Sequence, residues 1–195
     1  NGCATCPPAG RGDPSGRRRM ADLASLIREV EGEVLGIVRF CAEEVERQRA
    51  EPDAVCWMLE AWLMARRRFE QTPPLELAAA LTPAIVADWG RRVEPTKNRI
   101  GFRDCEVRVG PRVCPPSQDV PDLMERLMVA IRHDKDWPIC PPVGHGVAEH
   151  AYYIFQMIHP FRDGNGRTGK ILFNWLRGSL NYPELPPNFF DCANP

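Results

Sequence analysis

With 195 residues, the chain is long enough for one domain with a sizeable core and a short appendage. A formal net charge of −1 argues against a protein that binds nucleic acid or acidic membrane through its overall field, and no apolar run approaches the ~20 residues needed to span a bilayer. Hydrophobic residues at 44% and charged residues at 26% are ordinary for a soluble globular protein, and the twenty prolines fall mainly between apolar segments.

The start, Asn1-Gly2-Cys3-Ala4-Thr5-Cys6, has neither a methionine nor the apolar core of a secretion signal, so the chain reads as trimmed and a cytoplasmic location is expected. Residues 1–19 carry no apolar period and are expected to form a disordered tail. From Met20 to about Arg49, Leu23, Ile27, Val30, Val34, Ile37, Val38 and Cys41 mark one helical face until Glu51-Pro52-Asp53 breaks it. A second helix follows Asp53 as N-cap, buries Val55, Met58, Leu59, Trp62 and Leu63, and ends near Gln71 before Thr72-Pro73-Pro74. Leu75 to Leu81 reads as a short helix, and Thr82-Pro83 opens another that reaches Arg91 or Val93. Val107 and Val109 alternate with Glu106, Arg108 and Gly110, Gly110-Pro111 signals a turn, and Arg112-Val113-Cys114 returns as a second strand. Two such short strands are marginal in water, so they are expected to pack on helices. Ser117 to His133 reads as a helix with Leu123, Leu127 and Ile131 buried, followed by a loop over Asp134 to Pro142. The eight cysteines lack paired zinc-site spacing, and reduced thiols are expected, including Cys105 and Cys114 on either side of the turn. The class is all-α: a bundle of six to eight helices with one small hairpin.

Chemistry concentrates between His159 and Lys170, in His-Pro-Phe-Arg-Asp-Gly-Asn-Gly-Arg-Thr-Gly-Lys. Val147, Ala151, Ile154, Phe155 and Ile158 form one face of a helix running into His159, and Ile171, Leu172, Trp175 and Leu176 form the face of a helix that leaves the glycines and stops near Gly178. The glycine loop therefore lies at a helix N-terminus, where unpaired N–H groups and the dipole attract an oxyanion. Asp163 beside a phosphate calls for a hard divalent cation between the two anions, and Mg²⁺ is the usual solution. Arg167 as a fork and Lys170 as a point charge could balance the remaining phosphate charge. His159 can accept a proton at neutral pH, which suggests transfer of a phosphorus group to a hydroxyl. Taken singly each residue has a plainer reading, with His159 structural, Gly164-Asn165-Gly166 a turn and Asp163 a helix cap; the joint spacing is what carries the site.

The stretch resembles the signature of the Fic family, His-x-Phe-x-(Asp/Glu)-Gly-Asn-Gly-Arg-x-x-Arg, matching every specified position except the last, where Lys170 replaces arginine. Asn98 to Pro116 is similar to the hairpin flap that precedes the signature in that family, and the resemblance covers roughly residues 55–190. It implies a Fic-like catalytic domain over 55–195, with residues 20–54 a helical segment packed on it, and transfer of AMP from ATP, with Mg²⁺, to a protein hydroxyl. By the same resemblance His159 is the general base and Asp163 the metal ligand. Gly164, Asn165, Gly166 and Arg167 hold phosphates, and Lys170 stands where an arginine contacts the terminal phosphate. Glycine at 166 favours AMP transfer over the phosphoryl transfer of Doc-type relatives, which carry lysine there. The implied partner is a protein bearing a Ser, Thr or Tyr hydroxyl; the free edge of the hairpin over residues 99–114 could capture an extended segment of it, or the hairpin could only cover the nucleotide. The family's inhibitory pattern, (Ser/Thr)-x-x-x-Glu-(Gly/Asn), is met only in part by Ser25 to Glu29 and by Glu31-Gly32, so Glu29 and Glu31 read first as ordinary solvated helix charges, with inhibition by either of them or by a separate protein the alternative. A Doc-like kinase and a catalytically silent helical module that binds nucleotide or a partner are the alternative readings.

Overall fold

The apolar stripes become seven α-helices among the described residues: α1 (Glu33–Arg47), α2 (Ala54–Gln71), α3 (Leu77–Ala80), α4 (Pro83–Val93), α5 (Val120–His133), α6 (Val147–Ile158) and α7 (Asn165–Arg177). The structure, a computed structural model, describes residues 33–133 and 146–187. The expected tail, the first part of the Met20 helix, Glu29, Glu31 and the loop after His133 lie outside them. Strands β1 (Arg108–Val109) and β2 (Arg112–Val113) pair antiparallel, Arg108 opposite Val113 and Val109 opposite Arg112. The all-α class with a small hairpin is what the structure has, and no helix among the described residues is long and apolar enough to cross a membrane.

α7 is the axis of the bundle. From Arg167 to Trp175 every residue is buried, because α6, α2 and α4 all pack on it. A helix enclosed this way must satisfy its polar side chains internally. Asn174 does so by donating to the Lys170 and Glu184 carbonyls and accepting from Ser179 Oγ and the Glu184 N–H, which also pins the extended tail after Gly178. Trp175 lies edge-on to Phe69 at 5.3 Å and donates its indole N–H to the Leu77 carbonyl, joining α2 and α3 to the axis. α1 adds Ile37, Cys41 and Val45 to the same core.

Local signals act as read in some places and not in others. Thr82 Oγ1 accepts the Ile85 N–H at 3.3 Å, so Thr82 caps α4 as its position predicts. Asp53 precedes α2 but makes no side-chain cap, since its own backbone is already helical at φ −62° and ψ −20°. The hairpin departs further from expectation: Val109 and Val113 are 40% and 59% exposed, and an apolar groove of about 820 Å³ lined by Val113, Leu123, Leu127, Ile154 and Ile158 separates it from α5 and α6. Arginines rather than an apolar face attach it, because Arg112 donates to the Met157 and Gln156 carbonyls at 2.8 and 3.0 Å.

One close approach places the loop between α6 and α7 against α4. A Cβ added to Gly90 would lie 2.2 Å from the ring of Phe161, a fully buried side chain just before the glycines. Gly90→Ala is therefore expected to cost about 1–3 kcal/mol through overpacking, read as a lowered urea midpoint at unchanged slope.

Candidate active site

α6 ends at His159, whose backbone is left-handed at φ 52° and ψ 62°. A non-glycine residue holds that conformation only when its surroundings insist on it. Here they do. The His159 N–H closes on the Phe155 carbonyl at 2.9 Å, while buried Arg103 donates Nε to the His159 carbonyl at 2.8 Å and its terminal nitrogens to the Cys105, Pro115 and Ile158 carbonyls. Arg103 thus fastens the base of the hairpin to the end of α6, and Arg112 caps the carbonyls of the preceding turn.

The loop from Phe161 to Asn165 is closed by one carboxamide. Asn165 accepts the Phe161 N–H and donates to the Phe161 carbonyl, both at 2.9 Å, so its side chain shapes the loop from within. Asn98 holds the same loop from outside, donating to the Gly90 and Asp163 carbonyls at 3.0 and 2.8 Å. Gly164 takes φ 75° as the cap of α7, and a Cβ there would meet Val93 at 2.9 Å, so both conformation and space call for glycine. Thr168 is the first residue of α7 to donate back, to the Gly164 carbonyl, which leaves the N–H groups of Asn165, Gly166 and Arg167 as the orphan donors of the helix. The expected anion-seeking helix end is present.

The charged side chains are arranged differently from the sequence expectation. The Arg167 guanidinium is buried and turned toward the end of α4, with Nη1 on the Val93 carbonyl at 3.1 Å and Nη2 3.4 Å from buried Glu94. Lys170 is buried too, its Nζ 2.5 Å from Glu44 of α1. Burial pushes the Lys170 ammonium below its ordinary pKa against the pull of Glu44. Glu44 also accepts from Arg47 and Gln48, and the Gln48 amide lies where a Cβ on Gly166 would be, so the end of α1 covers the start of α7. Among the described residues the glutamate that faces the last signature position is Glu44, which belongs to neither partial inhibitory pattern.

Asp163 accepts the Gly164 N–H on Oδ1 and Lys97 Nζ on Oδ2, with Arg167 3.7 Å away. Partial burial works to raise its pKa, but the hydrogen bonds from Lys97 and Gly164 outweigh it and hold the carboxylate below its ordinary value. His159 behaves oppositely: burial lowers the imidazole to about 4, Arg112 and Arg103 add to the fall, and the Gln156 backbone and Asp163 oppose it. Its Nδ1 is buried without a hydrogen-bond partner. The imidazole is therefore neutral across physiological pH and able to accept a proton.

Sequence reasoning missed Lys97, Asn98, Arg103, Arg112, Glu44 and Gln48 as site residues. Asn98, Arg103 and Arg112 fall in the segment read as a flap, so their neighbourhood was marked; for Lys97, Glu44 and Gln48 no local signal existed.

The helical bundle thus brings a helix N-terminus close to a neutral histidine, an arrangement with counterparts among known proteins. The fold is similar to that of a crystallised Fic family protein from Desulfovibrio desulfuricans G20, with a TM-score of 0.51 at 14% identity over 91% of this chain and 62% of that one. Residues 84–176 match the model of the Fic/DOC family. It is also 37% identical, over 84 residues, to relatives named protein adenylyltransferase Fic from Culex quinquefasciatus and Drosophila persimilis. Those 84 residues are 43% of this chain and 16% of the relatives' length, so the chain spans only a small part of them.

Two outcomes follow from the geometry. Histidine-ring NMR should show His159 titrating near 4, and Arg112→Met should move the midpoint upward by removing a nearby positive charge. Because the folded value lies below the ordinary 6.5, His159 contributes stability above pH 6.5 that is lost as pH falls through about 4. Lys170→Met should cost about 3 kcal/mol, the lower end for a broken buried pair, since Arg47 and Gln48 still reach Glu44; adding Glu44→Leu should restore most of it in denaturant titrations.

Proposed function

We propose that this chain transfers AMP from ATP to a Ser, Thr or Tyr hydroxyl of a target protein. One observation carries the reading: a neutral, half-buried His159 is held at the end of α6, in the turn that leads to the three orphan N–H groups of α7. In this reading the ATP phosphates accept those N–H groups. The target oxygen attacks the α-phosphorus, the bond from that phosphorus to the bridging oxygen of the β-phosphate breaks, pyrophosphate leaves, and His159 takes the hydroxyl proton. Asn165 contributes the shape of the loop, and the donors are the backbone groups of residues 165–167.

Mg²⁺ fits this arrangement. Among the described residues no group of three ligating side chains could hold a metal by itself, and Asp163 is a single, partly exposed carboxylate beside the phosphate loop. That is the donor set of Mg²⁺, which takes one or two carboxylates and completes its shell with substrate phosphates and water. Bound there, the ion would offset the charge that develops on the phosphates. Lys170 reaches the terminal phosphate in this scheme only when Glu44 releases it, and a target segment docks along the exposed edge of the hairpin. The adenylyltransferase names of the relatives and the glycine at 166 favour AMP transfer over phosphoryl transfer.

ATP labelled at the α- or the γ-phosphate, incubated with chain and target, separates the possibilities: the α label should stay on the target. Retention of the γ label would identify a kinase, and neither label a silent module. His159→Ala should fold and bind ATP yet lose roughly 10²–10⁴ in rate, and Asp163→Ala should abolish the difference in ATP affinity with and without Mg²⁺.

A further inference from the structure

Besides Arg162, which lies in the phosphate loop and pairs with Asp104, the cations Arg167, Lys170 and Lys97 stand close to it, and the first two are spoken for. Arg167 and Lys170 have side chains only 1% and 9% exposed, each paired with a carboxylate that is itself buried, Glu94 and Glu44. Lys97 is different: its side chain is 57% exposed, and its partner Asp163 is 40% exposed. The Lys97 backbone is nevertheless well placed. On one side Glu94 is buried between Arg167 and Thr96, and on the other Asn98 grips the Gly90 and Asp163 carbonyls. The ammonium therefore hangs on a flexible stem from a fixed point beside the loop.

We infer that Lys97 is a further phosphate-binding residue that couples metal to nucleotide: it holds Asp163 Oδ2 when no cation is bound, yields that oxygen to a divalent ion, and passes to the phosphates. The inference rests on the adenylyltransfer reading of the same site. With Oδ1 accepting the Gly164 N–H and Oδ2 accepting Lys97, the carboxylate has both oxygens engaged, so an incoming ion must compete with the ammonium. An ion pair this exposed is weak, which makes the exchange easy. The displaced ammonium remains within the reach of its four-carbon stem from the start of α7, where it makes a point-charge contact with phosphate. Metal alone leaves Lys97 without a partner, whereas metal with nucleotide supplies one. Each ligand thereby raises affinity for the other, by the same factor in both directions.

The test measures binding rather than turnover. Mn²⁺ is titrated by electron paramagnetic resonance in the wild type, Lys97→Met and Lys97→Arg, and ATP by calorimetry at saturating Mn²⁺. Lys97→Met should bind Mn²⁺ alone about two- to fivefold more tightly, because no ammonium competes. It should bind ATP about tenfold more weakly, because a charged hydrogen bond is lost, while Lys97→Arg stays near wild type on both axes. Unchanged or weaker Mn²⁺ binding by Lys97→Met, or unchanged ATP binding, overturns the inference and leaves the adenylyltransfer reading in place. A wild-type chain that binds neither ATP nor Mn²⁺ overturns both.

Discussion

The site depends on how one helix is made to end. The last carbonyls of α6 have no partners within the helix, and the chain must reverse there to bring the glycine loop onto the start of α7. His159 makes the reversal in a left-handed conformation, and two arginines from the flap segment, Arg103 and Arg112, neutralise the exposed end of the helix. Their positive charge satisfies the carbonyls and, together with burial, keeps a proton off the imidazole. A single set of contacts thereby anchors the hairpin, fixes the position of His159 and sets its protonation state. The hairpin needs this anchorage, since its valines stay in solvent and two paired strands contribute little by themselves.

Around the start of α7 the electrostatics are those of a site whose positive side chains are paired in advance. Glu44 holds Lys170, Glu94 holds Arg167, and Asp163 holds Lys97. The first two pairs are buried, and such pairs add little net stability but fix geometry and are costly to break. The third is exposed and easily exchanged. The difference divides the pairs into two that brace the helices from within and one that lies open to solvent. The first backbone N–H groups of α7 belong to none of these pairs.

Close packing carries this precision into the core. Gly90 admits the Phe161 ring, and Gly164 lets the loop pass Val93. Asn98 and Asn165 then hold the loop from its two sides with carboxamides, which donate and accept at once and so can bridge backbone groups of both kinds.

What the sequence by itself determined was everything carried by short-range pattern. The 3.6-residue stripes located α2, α4, α5, α6 and α7 close to their observed bounds, Gly110-Pro111 located the hairpin turn, and the His159 to Lys170 spacing located the loop between α6 and α7. These are legible because periodicity, turn chemistry and a dense motif act between residues a few positions apart. Side-chain partners were decided only by tertiary structure. Glu44 meets Lys170 across 126 positions of sequence, Arg167 meets Glu94 across 73, and Lys97 meets Asp163 across 66, and nothing local distinguishes those carboxylates from the solvated charges of any helix or turn. The pKa of His159 belongs to the same category, because burial and the approach of two flap arginines exist only once α5, α6 and the hairpin have come together.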